Sequence, residues 1–343
     1  MDTLMGLDYA TWWFLILGAV FTGYAILDGF DLGVGMIHLF LRKEESRRIA
    51  LNAIGPVWDG NEVWIVIGGG ALFAGFPVAY ASILSAMYVP FMLFLMSLIF
   101  RAVSIEFRSK EPMAWWRRMW DIVFALSSYS IAFWLGLILG NVLQGLPLDV
   151  RHEYSGGTLP LFNPFALLTA LTTIAAFAMH GSLFLIMKTE NRLYARMTFL
   201  TRNMTIFFVL CFVLLTIYTL LYIPHLTARL RLYPGLFMLP VLVVISIAAI
   251  TRFVARRQYR YGFVASCLTL ALLLIQVATE LYPHLLLSTD PAHSLTLYNA
   301  ASSPRTLANL LIVAAIGVPL VGIYTTFVFV TFRGKVHLDE NSY

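Results

Sequence analysis

The chain has 343 residues, of which 60% are hydrophobic and only 12% charged, with a formal net charge of +5 at pH 7. Soluble domains carry about 25% charged residues, so this composition cannot cover a water-facing surface, and lipid must be the solvent for most of the molecule. Cys211 and Cys267, the only cysteines, sit singly inside apolar runs, which excludes zinc ribbons, thiol redox motifs and covalent haem attachment. The excess positive charge is spread over short loops, which is a topology signal and no sign of nucleic-acid binding. The N-terminus has no basic segment ahead of its first apolar run, so no cleavable signal peptide is expected.

Nine apolar segments follow one another, at roughly 9–40, 50–73, 78–100, 119–140, 164–187, 204–223, 235–251, 261–282 and 305–332. Most have the ~20 residues that a helix needs to cross ~30 Å of hydrocarbon. The second is the least apolar, because it holds Asp59, Asn61 and Glu62. The whole chain reads as one all-α polytopic membrane domain of about nine transmembrane helices, arranged as two four-helix bundles with one peripheral helix left over.

The basic residues test this count. Arg42, Lys43, Arg47, Arg48, Arg101, Arg108, Lys110, Arg117, Arg118, Lys188, Arg192, Arg196, Arg202, Arg252, Arg256, Arg257, Arg260, Arg333 and Lys335 all fall on one side, 19 of the 23. Only Arg151, Arg229, Arg231 and Arg305 fall on the other. By the positive-inside rule the N-terminus is then outside and the C-terminus cytoplasmic. Trp12 and Trp13 fit an outer aromatic belt, and Trp115, Trp116 and Trp120 an inner one.

The informative residues are those that lipid should exclude. An ionised Asp at the centre of a spanning helix costs ~2.5–3.5 kcal/mol on insertion scales, yet the first two segments hold Asp28, Asp31, Asp59 and Glu62. Two readings stand. Asp28 and Asp31, set among Gly29, Gly33 and Gly35, could cap a local unwinding or a close helix contact, with Asn61 and Glu62 as interhelical glue. Alternatively they handle protons. At 1.5 Å per residue Asp28 lies ~28 Å along the first helix, Asp31 lies further toward the inner interface, and Asp59 lies ~14 Å into the second, near the midplane. Glu106, Lys110 and Asp121 gather at the cytoplasmic ends of the third and fourth segments. Titratable groups descending from one face to mid-membrane are the pattern of a proton relay, with Asp59 as its principal residue.

His180, inside the fifth segment, is either a haem ligand or a donor between helices. His38 falls near the inner interface, His152, His225, His284 and His293 in or near outer loops, and His337 in the tail. No spacing among them suits a metal.

Two long motifs carry a resemblance: Asp28-Gly-Phe-Asp-Leu-Gly-Val-Gly-Met36, and Gly55-Pro-Val-Trp-Asp-Gly-Asn-Glu-Val-Trp64 followed by Gly69-Gly-Ala-Leu-Phe-Ala74. With Phe107-Arg-Ser-Lys110, Met119-Trp-Asp121, Gly140-Asn-Val-Leu-Gln-Gly145 and Asn163-Pro-Phe165, the chain resembles subunit II of the cytochrome bd ubiquinol oxidase family. The likeness covers essentially the whole chain and is densest over 20–165. It implies a subunit of a bacterial inner-membrane quinol oxidase that reduces dioxygen to water, electrogenic without pumping and inactive alone. It implies haems b558, b595 and d in a partner, the haem-bearing subunit I, no haem or metal of its own, and a bound ubiquinone in some relatives. Small single-helix accessory subunits complete the expected partners. By position the resemblance implies a proton path through Lys110, Glu106, Asp121, Asp59 and Asp28, and oxygen access beside Trp64. Glu106 departs from relatives that carry Asp, keeping the carboxylate with one more methylene. The competing function is a proton-coupled secondary transporter, which suits midplane carboxylates but leaves the second half of the chain without a matching broken, charged helix. A haem enzyme acting alone is disfavoured by the histidine supply.

Overall fold

The computed structural model describes residues 3–336 and 338, so His337 lies outside the described residues. Twelve α-helices account for most of that length, with two short hairpins, Thr3–Leu4 with Leu7–Asp8 and His284–Leu286 with Leu295–Thr296. Eight helices are long and apolar enough to cross a membrane among the described residues. The helix over Trp58–Gly75, where a ninth span is expected, is 18 residues long but lies outside this set, because its start holds Asp59, Asn61 and Glu62 and lowers its mean hydropathy. The molecule is an all-α polytopic membrane protein.

Helix α1 (Tyr9–His38) starts where the Asp8 carboxylate accepts from the Thr11 N–H at 2.8 Å, an N-cap that satisfies an otherwise orphan donor. It runs unbroken through Gly29, Gly33 and Gly35. The glycines therefore serve close packing and no unwinding. A Cβ on Gly33 would overlap the Phe177 carbonyl oxygen, and one on Gly181 would lie 2.5 Å from Gly33 Cα. Only two glycines allow backbones this near.

Two expected segments are broken by proline. The segment expected over 50–73 is an amphipathic helix α2 (Glu44–Ile54) followed by α3 (Trp58–Gly75). Pro56 has no N–H for the helical bond and its ring clashes with the carbonyl four residues back. The segment expected over 78–100 divides into α4 (Pro77–Ala86) and α5 (Tyr88–Phe107), because Pro90 cannot donate to the carbonyl of Ala86. The remaining helices are α6 (Ala114–Gln144), α7 (Pro164–Lys188), α8 (Asn191–Tyr222), the short α9 (His225–Leu232), α10 (Met238–Ala255), α11 (Tyr259–Leu281) and α12 (Pro304–Thr331). Two basic groups change place. Arg101 belongs to α5 and not to a loop, and Arg192, Arg196 and Arg202 ride on the first turns of α8.

The helices pack as two groups of four. In the first, α1 packs on α3 and α6, and α5 on α6; in the second, α7 packs on α8 and α11, and α10 on α11 and α8. Helix α7 joins the groups by packing on α1 and α6. Helix α12 touches only α1 and α3 among its main neighbours and buries only Leu307, so it is the peripheral helix.

Candidate functional site

The register between α1 and α3 positions the site. The side chain of Asn61 reaches the Leu27 carbonyl and the Asp31 carboxylate. Trp64 lies against Gly23, and Gly68 against Phe21, so the two helices are antiparallel. Extending this register sets Asp59 level with residue 30, about eight residues or ~12 Å from the C-terminal end of α1. Because α2 ends at Ile54 and α3 starts anew at Trp58, Asp59 stands in the first turn of its helix, not within an unbroken span.

At that level α5 delivers Arg101, which is fully buried. Its guanidinium donates to both oxygens of Asp28, at 2.8 and 2.6 Å, the bidentate geometry that planar forks favour. Arg101 Nη1 also lies 3.6 Å from Glu62 Oε2. Asn61 Nδ2 donates to Asp31 Oδ2 at 2.7 Å, while Asp31 Oδ1 has no partner among the described residues. One cation thus serves three carboxyl groups, of which Asp28 and Asp31 have no exposed surface. Burying unbalanced charge is expensive unless it is paired or neutralised, and one guanidinium against three carboxyl groups sets this cluster apart from an ordinary ion pair.

A second cluster lies closer to the end of the bundle, since Arg108 follows Arg101 by two helical turns, ~10 Å along α5. The buried Asp121 on α6 meets His38 Nε2 at 2.5 Å, Arg47 Nη1 at 2.9 Å and Arg108 Nε at 2.6 Å. Arg108 also donates to both oxygens of Glu44 at 3.0 Å. These bonds tie the ends of α1 and α5 and the start of α2 to α6. Asp121 has every oxygen engaged by donors, the arrangement of a structural staple.

The expected site residues therefore separate. Asp28 lies in the first cluster and Asp121 in the second. Asp59, Glu106 and Lys110 are exposed on the surface of the chain, Glu106 in the last turn of α5 and Lys110 in the turn that follows. Asp59 shares its face of α3 with exposed Val63, Val66, Ile67 and Phe73. Trp64 packs in the seam between α1 and α3. Asp31 is fully buried and level with α3, which corrects its expected position nearer the inner interface.

His180 has both ring nitrogens engaged, Nδ1 with Ser266 Oγ at 2.7 Å and Nε2 with the Ile26 carbonyl at 3.0 Å. Its ring stacks on Phe263 with centroids 4.8 Å apart. A ring so held has no free nitrogen for iron, and it bridges α7 to α11 and α1. No group of three potential ligands among His, Cys, Asp and Glu occurs among the described residues.

Sequence reading missed Arg101, Arg108, Arg47, Glu44 and His38 as parts of these clusters. A signal was present: after Arg101 the apolar positions Ala102, Val103, Ile105 and Phe107 continue at helical spacing, so the helix had reason to run on past the arginine.

Residues 9–332 match the family model described as cytochrome bd terminal oxidase subunit II. The chain is 33% identical to cytochrome bd-I ubiquinol oxidase subunit 2 of Escherichia coli K12, over 96% of this chain and 95% of that protein. It is 32% identical to cytochrome bd ubiquinol oxidase subunit 2 of Bacillus subtilis, over 96% and 97%. The structure of the bd oxidase from Geobacillus thermodenitrificans has a chain that superposes with a TM-score of 0.79 at 18% identity, over 94% of this chain and 98% of that one, a likeness of fold.

Proposed function

The chain belongs to the subunit II family of cytochrome bd terminal oxidases, and on that premise we propose how it serves the oxidase. It is a subunit of a respiratory quinol:oxygen oxidoreductase in the bacterial inner membrane and works in complex with subunit I. The match over residues 9–332 carries this reading and displaces the transporter alternative. We place haems b558, b595 and d in subunit I, with ubiquinol as electron donor. The engaged nitrogens of His180 support that division of labour. A bound ubiquinone and small accessory subunits remain part of the proposal without assigned contacts.

The polar cluster supplies this chain's part. An acidic side chain on an apolar face is costly in lipid, so the exposed Asp59 with Val63, Val66, Ile67 and Phe73 argues that subunit I covers this face of α3. Protons would enter past Lys110 and Glu106, pass Asp59 at that interface, and exchange with Glu62 and Asp31. Arg101 holds Asp28 in place, which makes Asp28 an anchor of the path more than a carrier. Asp121 maintains the entry by fixing four helix ends. Trp64 would flank the route of dioxygen along the α1–α3 seam. The N-terminus is outside and the C-terminus cytoplasmic in this reading, so a phosphatase reporter fused after Tyr343 should be inactive and a cytoplasmic fluorescent reporter active; the reverse pattern refutes the orientation.

The test of the function is quinol-driven oxygen uptake by membranes and by purified protein. The complex of this chain with subunit I is expected to consume oxygen and to show haem spectra. The isolated chain is expected to do neither, and oxygen uptake by it alone would overturn the assignment of the redox centres to subunit I.

A further inference from the structure

A cavity of about 450 Å³ opens where the ends of α7 and α12 meet the break between α2 and α3. Pro56 and Val57 form one wall, and Phe184 and Phe329 form apolar surface beneath. Lys188, Arg333 and Lys335 also line it, and none of the lining residues is acidic. Three cations around one cavity with no acidic side chain among the described lining residues are not explained by the proton cluster or by helix packing.

The lysines have a local task that leaves capacity over. Lys188 Nζ donates to the Phe332 carbonyl at 2.7 Å, and Lys335 Nζ to the Thr189 carbonyl at 2.7 Å. The Val336 N–H donates to the Lys188 carbonyl at 3.1 Å. These bonds strap the segment after α12 onto the end of α7 and satisfy carbonyls at the negative ends of two helix dipoles. Each ammonium has three N–H groups, so each keeps donors for a ligand. Arg333 has no ion-pair partner among the described residues.

We propose that this cavity binds the headgroup of one anionic phospholipid, with the phosphate held by Lys188, Arg333 and Lys335 and the glycerol and upper acyl chain against Phe184, Phe329 and Pro56. Basic pockets between transmembrane helices at the membrane surface suit such headgroups, since the phosphate meets the cations while the chains stay in hydrocarbon. The depth agrees: the cavity lies at the last turns of two membrane-length helices, where headgroups lie. The lipid would act as a clasp between α12, which packs little on the rest of the chain, and α7, which is central. The inference rests on the chain being embedded in a bilayer and is independent of the proton path.

Native mass spectrometry of the purified oxidase complex, delipidated and then titrated with defined lipid, tests it. The wild-type complex should retain one phosphatidylglycerol in preference to phosphatidylcholine. Arg333→Gln leaves every strap bond in place and should weaken retention about fivefold, the effect of one charge at a membrane surface, and R333Q/K335Q about twenty-five-fold. Lys335→Arg should retain the lipid. Oxygen uptake by the R333Q complex should match wild type, which shows that the variant is folded; if the double variant fails to assemble, R333Q decides alone. Equal retention of phosphatidylcholine, unchanged retention in R333Q, displacement of the lipid by inorganic phosphate at matched concentration, or a quinone occupying the cavity in its place would each overturn the proposal.

Discussion

The two four-helix groups bury polar side chains of different kinds. In the first, α1, α3, α5 and α6 enclose Asp28, Asp31, Arg101, Arg108 and Asp121 as well as neutral groups. In the second, the fully buried polar side chains of α7, α8, α10 and α11 are the hydroxyls of residues such as Thr201, Ser246 and Thr269, with His180. Their bonds are neutral ones: Thr269 Oγ1 to Ser246 Oγ at 2.9 Å, Thr201 Oγ1 to the Ser182 carbonyl at 3.3 Å, and His180 with Ser266. The second group thus packs without a buried ion pair among the described residues, and its one comparable acid, Glu280 near the end of α11, has both carboxyl oxygens buried without a hydrogen-bond partner among those residues. Architecture does not require the ion pairs of the first group, and desolvating them is costly. Their presence on one side only separates two uses of charge within the first group: Asp121 staples helix ends, while Arg101 gathers Asp28 and Glu62 in the interior.

The largest expected effect removes the cation. Arg101→Met would leave Asp28 buried without its bidentate partner, which costs about 3–5 kcal/mol when one member of a buried pair is lost. The complex should accumulate poorly, as read by the yield of haem-containing oxidase from membranes. Asp28→Asn in the same chain should restore much of that yield, since a neutral pair replaces an orphaned charge. Normal yield of Arg101→Met by itself would show that the charge is not held as the contrast requires.

The next effect acts on the seam between the groups. Gly33→Val would drive a side chain into the Phe177 carbonyl and the backbone of Gly181, where neither side can move without separating α1 from α7. Overpacking costs typically 1–3 kcal/mol and occasionally more. The thermal transition of the purified complex should fall, whereas Gly69→Ala, on α3 with no atom near the added Cβ in this chain, should leave α1 and α7 undisturbed. A transition unchanged by Gly33→Val would mean that the groups are not fixed by this contact.

What was legible in the sequence follows from these same features. Apolar length and the partition of basic residues marked the helices, because lipid imposes both on any chain. Asp28, Asp59 and Asp121 were visible because acids are rare in such segments. Two things were hidden. Pro56 and Pro90 split segments that hydropathy averages as continuous, so α2 was merged into α3. Arg101 was hidden for the opposite reason: a basic residue seven positions after Phe94 looked like the edge of a span, while the apolar residues beyond it continued the helix to Phe107. Partners distant in sequence, such as His38 with Asp121 and Arg101 with Asp28, have no periodic signature and needed the fold.

The smallest expected effect on assembly, and the one that sharpens the contrast most, is at Asp59. Its side chain is exposed on this chain and forms no hydrogen bond or ion pair among the described residues, so Asp59→Asn removes no contact seen to hold the helices of the subunit together. Asp31, in contrast, is fully buried and accepts from Asn61 at 2.7 Å, while its Oδ1 has no partner among the described residues; in Asp31→Asn the amide oxygen can keep the Asn61 bond, but the new NH2 is buried without an acceptor, which costs stability as well as proton exchange. Haem content and complex yield should therefore be normal for Asp59→Asn and reduced for Asp31→Asn. Oxygen uptake per haem should fall in Asp59→Asn by roughly tenfold or more, as when a positioned proton carrier is lost, because an amide cannot take up and release the proton. Buffers of small weak acids should recover part of that rate if the defect is one of proton delivery. An Asp59→Asn complex with full haem and undiminished uptake would remove Asp59 from the path and leave Glu62 and Asp31 to reach the partner without it.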